Sequence, residues 1–538
     1  MDSAEETPAE MTSLLRSYEP SPEESARVHE EIQTHQRAIA SIDEEIQALF
    51  RTMYTLRERR AQHEVQIKRC KGLITWARRM PPEVLAKIFL HCVEDGWNQA
   101  PLAVSMVCSS WRFAARNYPR VWSHVHVNME EYDPVSRTRY WLTMARRSPL
   151  HVTIVADIET SELAEVIDIL LEQASRWRSL SVVSSSLRKT NTILSRCKEA
   201  TPDLREIQVT TDIEIDDVAA GNAAITGFWG SFQEAPRLRR LDLTSSTIHV
   251  AGSIPSQIED LSINLQPSRR RVETPMTGSN ILQMLEDLPN LKHFAINLSH
   301  HHEPPYVPER DLSRRIFLAN LESMLLCVPP DVNGLMAHLV VPKLKQLQIR
   351  SNLDPLVRPH DLTGASLREL LEQSNPSLEL LELHDVDLTD DDYTHCLSRL
   401  DSLRELRLHE SEISDDVVRL LTGPRGRCPR LSRLDLRWCG QLTGSTMVEL
   451  VRSRLAVDDH PIASSSVPIQ EVAIINCAFV EEQDVLDLAA ITVCRLILRE
   501  TEDYCRSRGC CTNSRYRQRL RLRHNIGHTG TGLIHLIL

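Results

Sequence analysis

The apolar positions of this chain follow three successive periods. Between Val28 and Ile74 they recur in alternating steps of four and three, through Ile32, His35, Ile39, Ile42, Ile46, Leu49, Met53, Leu56, Arg60, His63, Ile67 and Cys70. That spacing is the a/d seam of a coiled coil, apolar from Ile39 to Leu56 and polar at Arg60 and His63. No proline or glycine interrupts it before Gly72, so the pattern predicts one helix over residues 25–75. Either two chains share the seam as a dimer, or the helix stands alone or folds back on its own chain.

A helical period of shorter reach occupies residues 76–126. In MPPEVLAKIFLHC, Leu85, Ile88, Phe89 and Cys92 fall at i, i+3, i+4 and i+7, one stripe of a helix. Pro81 and Pro82 fit only a first turn, where no N–H is needed, and Glu83 suits the positive end of the dipole. A second stripe joins Val104, Val107, Cys108, Trp111 and Ala115; Pro119 stops it, and Val121 and Trp122 follow. A unit of about fifty residues buries little surface by itself. Its stripes would be shared between a small core and a partner, or packed wholly into that core.

Beyond residue 127 the period drops to two. The phrase L-x-x-L-x-L recurs in PDLREIQV (202–209), PRLRRLDL (236–243), SQIEDLSI (256–263), PNLKHFAI (289–296), ANLESMLL (319–326), PKLKQLQI (342–349), PSLELLEL (376–383), DSLRELRL (401–408), PRLSRLDL (429–436) and PIQEVAII (468–475). Each phrase reads as a short strand with alternate residues inward. No unit can bury its own face, so neighbours stack into a solenoid, at an irregular spacing of about 20 to 38 residues. Polar positions such as Glu382, Arg407 and Arg437 then line the concave face. Thr389, Ser414 and Thr443 sit where they can N-cap the following helices. PLHVTIVAD (149–157) and WRSLSVVSS (177–185), around a helix at 161–176, read as an early start of the same solenoid.

Composition narrows the function. The net charge of −12 argues against nucleic acid as the main partner. No window is long and apolar enough for a membrane span, and the acidic MDSAEETPAE start lacks a signal-peptide core. The 13 cysteines show no repeated C-x-x-C pair and read as buried thiols in a reducing compartment, cytoplasmic or nuclear. The chain carries no phosphate-binding glycine loop, no G-x-S-x-G elbow and no zincin motif. We therefore expect no enzyme, no cofactor and no metal site. His300, His301 and His302 share no common face for ligation, and Cys505, Cys510 and Cys511 lack ligand spacing. Residues 1–24 read as disordered, and residues 501–538, basic from Arg506 to Arg523, as a disordered tail.

Two resemblances sharpen this reading. Met80, Pro81, Pro82, Glu83, Val84, Leu85, Ile88, Phe89, Val104, Ser105, Val107, Cys108, Trp111, Arg112, Ala115, Pro119 and Trp122 together resemble an F-box, as found in fungal F-box proteins with a preceding coiled coil. The match departs from the family at Met80, usually leucine, and at Val121. The resemblance implies a three-helix module that docks on a Skp-family adaptor and, through it, a cullin–RING ubiquitin ligase. By matching positions it assigns adaptor contact to Met80, Pro81, Glu83, Leu85, Ile88 and Val107, and the module's core to Phe89, Cys108, Trp111 and Trp122. The repeats resemble cysteine-containing leucine-rich repeats, with Cys439 and Cys477 at the cysteine position, and that class serves as a substrate-recruiting domain. The expected fold class is α+β and multi-domain: coiled-coil helix (25–75), F-box (76–126) and α/β leucine-rich-repeat solenoid (127–500). The expected function is a substrate adaptor of a Skp–cullin–F-box ligase, with a protein substrate of unknown identity. The competing reading is a non-catalytic repeat scaffold dimerised by its coiled coil.

Overall fold

The computed structural model describes residues 21–74, 76–157, 161–212, 225–228, 230–245, 254–265, 278–297, 315–328, 332–351, 363–386, 388–411, 413–455, 466–475, 477, 479–498 and 534–537. These fall into two compact units. One runs to Ile88 and includes Cys108–Ala114; the other comprises Phe89–Val107 and the chain from Ala115 onward. The histidine run at 300–302, the basic stretch 506–523 and Cys505, Cys510 and Cys511 lie outside the described residues.

The first unit is dominated by a helix of 53 residues, Pro22–Ile74. Its start follows from SPEE: the Ser21 N–H donates to Glu24 Oε2 (3.0 Å) while the Glu24 N–H donates to Ser21 Oγ (3.3 Å), a reciprocal capping box with Pro22 in the first turn. The seam residues Ile39, Ile42, Ile46, Leu49, Met53 and Leu56 are all exposed. A second helix, Pro82–Glu94, begins where the Pro81 carbonyl accepts from the N–H groups of Val84 and Leu85, both at 3.1 Å. The proline pair therefore sets the first turn without wasting a donor.

In the second unit, Gly96 (φ +93°) closes that helix. The Trp97 N–H reaches Cys92 O and the Gly96 N–H reaches Val93 O, both at 3.0 Å, the double bond of a Schellman cap that needs a left-handed residue at Gly96. A helix at Ala100–Val107 and a 3₁₀ turn at Pro119–Trp122 lead into the sheet.

The strands, in chain order, are β1 (His124–Asn128), β2 (Leu150–Val155), β3 (Trp177–Ser184), β4 (Glu206–Thr211), β5 (Arg240–Ser245), β6 (Asp260–Leu265), β7 (His293–Asn297), β8 (Ile316–Phe317), β9 (Ser323–Cys327), β10 (Leu339–Val340), β11 (Gln346–Arg350), β12 (Leu380–His384), β13 (Glu405–His409), β14 (Arg433–Arg437), β15 (Glu471–Ile475), β16 (Val493–Leu498) and β17 (Ile534–Ile537). All but β8 and β10 form one 15-stranded sheet whose spatial order is the chain order; β8 and β10 pair separately. Among the described residues, neighbours are parallel from β1 to β16, and β17 alone pairs antiparallel. Strand order that equals chain order in a parallel sheet is what stacked β-plus-connector repeats produce, so the sheet is a solenoid-like α/β repeat. All ten L-x-x-L-x-L phrases lie on strands of this sheet. Strands β1, β16 and β17 carry no such phrase, and the repeat pattern did not mark them.

Register explains the core. Leu381, Leu406, Leu434 and Val472 stand opposite one another on β12 to β15, and so do Leu383, Leu408, Leu436 and Ile474. Both rows are buried. Each such side chain contributes about 1.5–3 kcal/mol by leaving water. After the strands, Asp385, Glu410 and Trp438 repeat a left-handed backbone (φ +55°, +55° and +59°). Their N–H groups extend the ladder, to His409 O (2.8 Å), Arg437 O (2.6 Å) and Ile475 O (2.9 Å) respectively. One residue beyond Trp438, the Cys439 thiol lies 3.4 Å from Leu408 O, and Cys477 Sγ lies 3.7 Å from Leu436 O, so the cysteine position satisfies carbonyls of the preceding strand.

Capping follows the sequence at two of three sites. Thr389 forms a capping box with Asp392, and Ser414 Oγ accepts from the Val417 N–H at 3.4 Å. Thr443 holds the N-cap position but its side chain caps nothing. Its hydroxyl instead donates to Asp415 Oδ2 of the preceding repeat (2.7 Å), and its N–H to Asp415 Oδ1 (2.9 Å). The charge-assisted partner across the repeat boundary outcompetes the local cap.

Candidate interaction surfaces

The helical stripes divide on folding. Leu85 is buried at 1% exposure, and Phe89 and Trp122 are buried as well. Ile88 is exposed at 41% and Val107 at 60%. Pro81 and Glu83 are exposed, while Met80, Cys108 and Trp111 are half-buried. Leu85 and Ile88 lie three positions apart on one helix, yet one faces the interior and the other solvent. Two neighbouring apolar positions, Val84 and Met106, are exposed too, and no periodicity marked them.

Trp122 connects the 3₁₀ turn to the start of the sheet. Its indole N–H donates to Ala115 O (2.8 Å), and its ring packs edge-on against Trp141 (centroids 5.0 Å apart) and Tyr140 (5.7 Å). Both aromatics lie on the helix Pro134–Ala145. Offset and edge-on ring pairs favour one geometry by ~0.5–1.5 kcal/mol each. Trp122 is therefore core, and much of what it packs on lies in the first repeat.

The half-exposed face of the sheet carries a ladder of charge. Glu382, only 2% exposed, receives Arg350 from β11 (2.7 Å) and Arg407 from β13 (3.3 Å). Arg407 also holds Glu405 at 2.6 Å. One strand further, Arg437 grips Asp435 with two N–H groups, at 2.6 and 2.8 Å, and His409 Nε2 lies 3.6 Å from the same carboxylate. Burial alone would raise the Asp435 carboxyl, but His409 and Arg437 outweigh it and hold it well below the usual carboxylate range. Along the edge of these strands a groove of about 610 Å³ is lined by Glu379, Arg404, Glu405, Arg430, Arg433 and Gln470. Its lining is dominated by charged side chains rather than by the apolar ones of a small-molecule pocket.

A second feature sits at the other end of the sheet. His124 and His151 stack with centroids 4.5 Å apart, and His151 Nδ1 lies 2.8 Å from Ser179 Oγ. Burial, then the neighbouring His151, lowers the His124 imidazole to about 4, against a smaller opposing pull from Glu94. Burial pushes the thiols of Cys197, Cys396 and Cys428 up to about 12, which keeps these three protonated and unreactive. No helix among the described residues is long and apolar enough to cross a membrane.

The class defined so far is a helical module leading into a parallel α/β repeat sheet. No protein-family model and no curated protein matches the chain. Among solved structures it is similar to a Bacteroides fragilis protein determined by structural genomics, at 12% identity over 51% of this chain and 72% of the other, with a TM-score of 0.29. It is also similar to a structure of the Rad7 and Elc1 complex in yeast, at 13% identity over 82% of this chain and 98% of the other, with a TM-score of 0.27. Likenesses this slight assign neither a family nor a function.

Proposed function

We propose that this chain is a non-catalytic substrate adaptor of a Skp–cullin–F-box ubiquitin ligase. Residues 76–126 act as the F-box and hold a Skp-family adaptor, through it a cullin–RING ligase; the repeats hold a protein substrate. The observation that carries this reading is the exposure of Ile88 and Val107, two apolar side chains at motif positions matched to adaptor contact. Single exposed apolar side chains are common on any surface; what supports the reading is that each of these two stands at a motif position matched to adaptor contact. Leu85, being buried, supports the helix rather than touching the adaptor directly. The charged ladder on β11 to β14 supplies the substrate surface, and ubiquitin transfer is accelerated by proximity alone. Such a chain works in the cytoplasm or nucleus, where these ligases meet their substrates.

The test is a pull-down of the full chain against a recombinant Skp-family adaptor, beside Ile88→Asp and Val107→Asp. Binding by the wild type that both variants lose supports the reading. A folded wild type that binds no adaptor overturns it and leaves the repeat scaffold dimerised by its long helix.

A further inference from the structure

The helix Pro22–Ile74 extends about 80 Å at 1.5 Å per residue. Its seam from Ile39 to Leu56 is exposed along its whole length. An apolar stripe of this kind needs a second helix, and the distribution of charge says which one. Residues 22–47 carry seven acids and two bases; residues 48–74 carry seven bases and two acids. The two halves are thus equal and opposite about the middle of the helix. Laid parallel, two copies set acid beside acid and base beside base. Laid antiparallel, each acidic half lies along the other copy's basic half.

The seam points the same way. In a parallel, in-register pair, Arg60 at an a position faces Arg60, and two like charges meet inside the interface. In an antiparallel pair with Ile46 opposite Leu49 of the second copy, Ile42 meets Met53 and Ile39 meets Leu56. Arg60 then meets His35, and Ile67 meets Val28. No layer sets arginine against arginine. Within one chain Arg60 already rests on Glu64 (3.0 Å), four residues on, which leaves its charge partly answered at the seam's edge.

We propose that this protein forms an antiparallel homodimer through Pro22–Ile74, centred on the Ile46–Leu49 layer. The two copies of the remaining chain then leave the dimer at opposite ends of the helix pair. This surface shares no residue with Ile88 or Val107, so the inference stands or falls apart from the adaptor reading.

The experiment uses the full chain in sedimentation equilibrium and in cysteine cross-linking. The dimer weakens several-fold between about 50 mM and about 500 mM salt, because the attraction between halves is screened. Ile46→Asp/Leu49→Asp, at exposed positions that leave the monomer folded by circular dichroism, lowers affinity by about tenfold or more. In a Cys70→Ser background, mixing Ile39→Cys protein with Leu56→Cys protein yields a cross-linked heterodimer joined at those two residues. A monomer at every concentration overturns the proposal, as does a dimer indifferent to the Asp variants, which would owe its contact to another surface. A dimer that tightens with salt and cross-links Ile39 to Ile39 overturns the antiparallel arrangement.

Discussion

Arg350 reaches Glu382 at 2.7 Å across the β11–β12 boundary, on a carboxylate that is all but sealed from solvent. Arg407 meets the same carboxylate from the opposite strand at 3.3 Å. Glu382 is thus a pin between three repeats on the face that the proposed substrate would meet. Substituting Glu382→Gln leaves two guanidinium groups sharing a neutral amide. Removing one member of a buried charge cluster costs about 3–5 kcal/mol, and the partial exposure of both arginines reduces this to about 1–3 kcal/mol. The expected outcome is a melting temperature lower by several degrees, read by calorimetry.

Leu85 and Ile88 provide a contrast within one helix. Leu85→Asp puts a carboxylate into the interior and lowers stability by more than about 3 kcal/mol, whereas Ile88→Asp, at a solvent-facing position, changes it by less than about 1 kcal/mol. Thermal melts of the two variants check this. Equal losses would show that Ile88 packs inside the protein.

Gly444 begins a helix against the neighbouring repeat. A Cβ there would collide with the Asp484 carboxylate, which caps the next helix by accepting from the Glu481 N–H at 3.0 Å. Gly364 stands in the same relation to Asp392. Gly444→Ala therefore displaces a capping residue and is expected to cost about 1–3 kcal/mol. Urea denaturation measures it, and an unchanged midpoint would show that the Asp484 side chain yields without losing its cap.

The stacked histidines predict a pH dependence. His124 titrates near 4 in the fold, against an ordinary value near 6.5 in the unfolded chain. His126 is also lowered, by burial and then Arg137, and His151 by burial and then Arg178, with Glu94 opposing. Below 6.5 the unfolded chain takes up protons that the folded chain refuses. Stability is therefore complete above 6.5 and falls as pH drops toward 4, by an order of 1–2 kcal/mol for His124 after allowing for solvent screening. Melting curves across that range should flatten in His124→Phe.

Much of the fold is legible in the chain because its causes are local. The L-x-x-L-x-L phrase places its leucines two apart, and only a strand puts such residues on one face, so all ten phrases became strands. Ser21 with Glu24, and Thr389 with Asp392, are caps whose partners lie three residues away. Strands β1, β16 and β17 are not legible in the same way, because HVHVN, VCRLIL and IHLI do not carry the phrase and owe their place to neighbouring strands. Thr443 holds the N-cap position that the sequence marks, but its side chain pairs with Asp415 of another repeat, a partner no local pattern records.

The interaction surfaces were legible as residue types but not as orientations. The sequence by itself determined the long helix, the proline-started helix, the repeated strands and the buried leucine rows, since each depends on periodicity and on contacts within a few residues. Only the tertiary structure decided that Leu85 turns inward while Ile88 faces water, that Trp122 packs on Trp141, and that Glu382 sits between Arg350 and Arg407. Those outcomes depend on which side chains from distant parts of the chain arrive at one place. A hydrophobic period records that a face is apolar; it carries no record of what that face is turned toward.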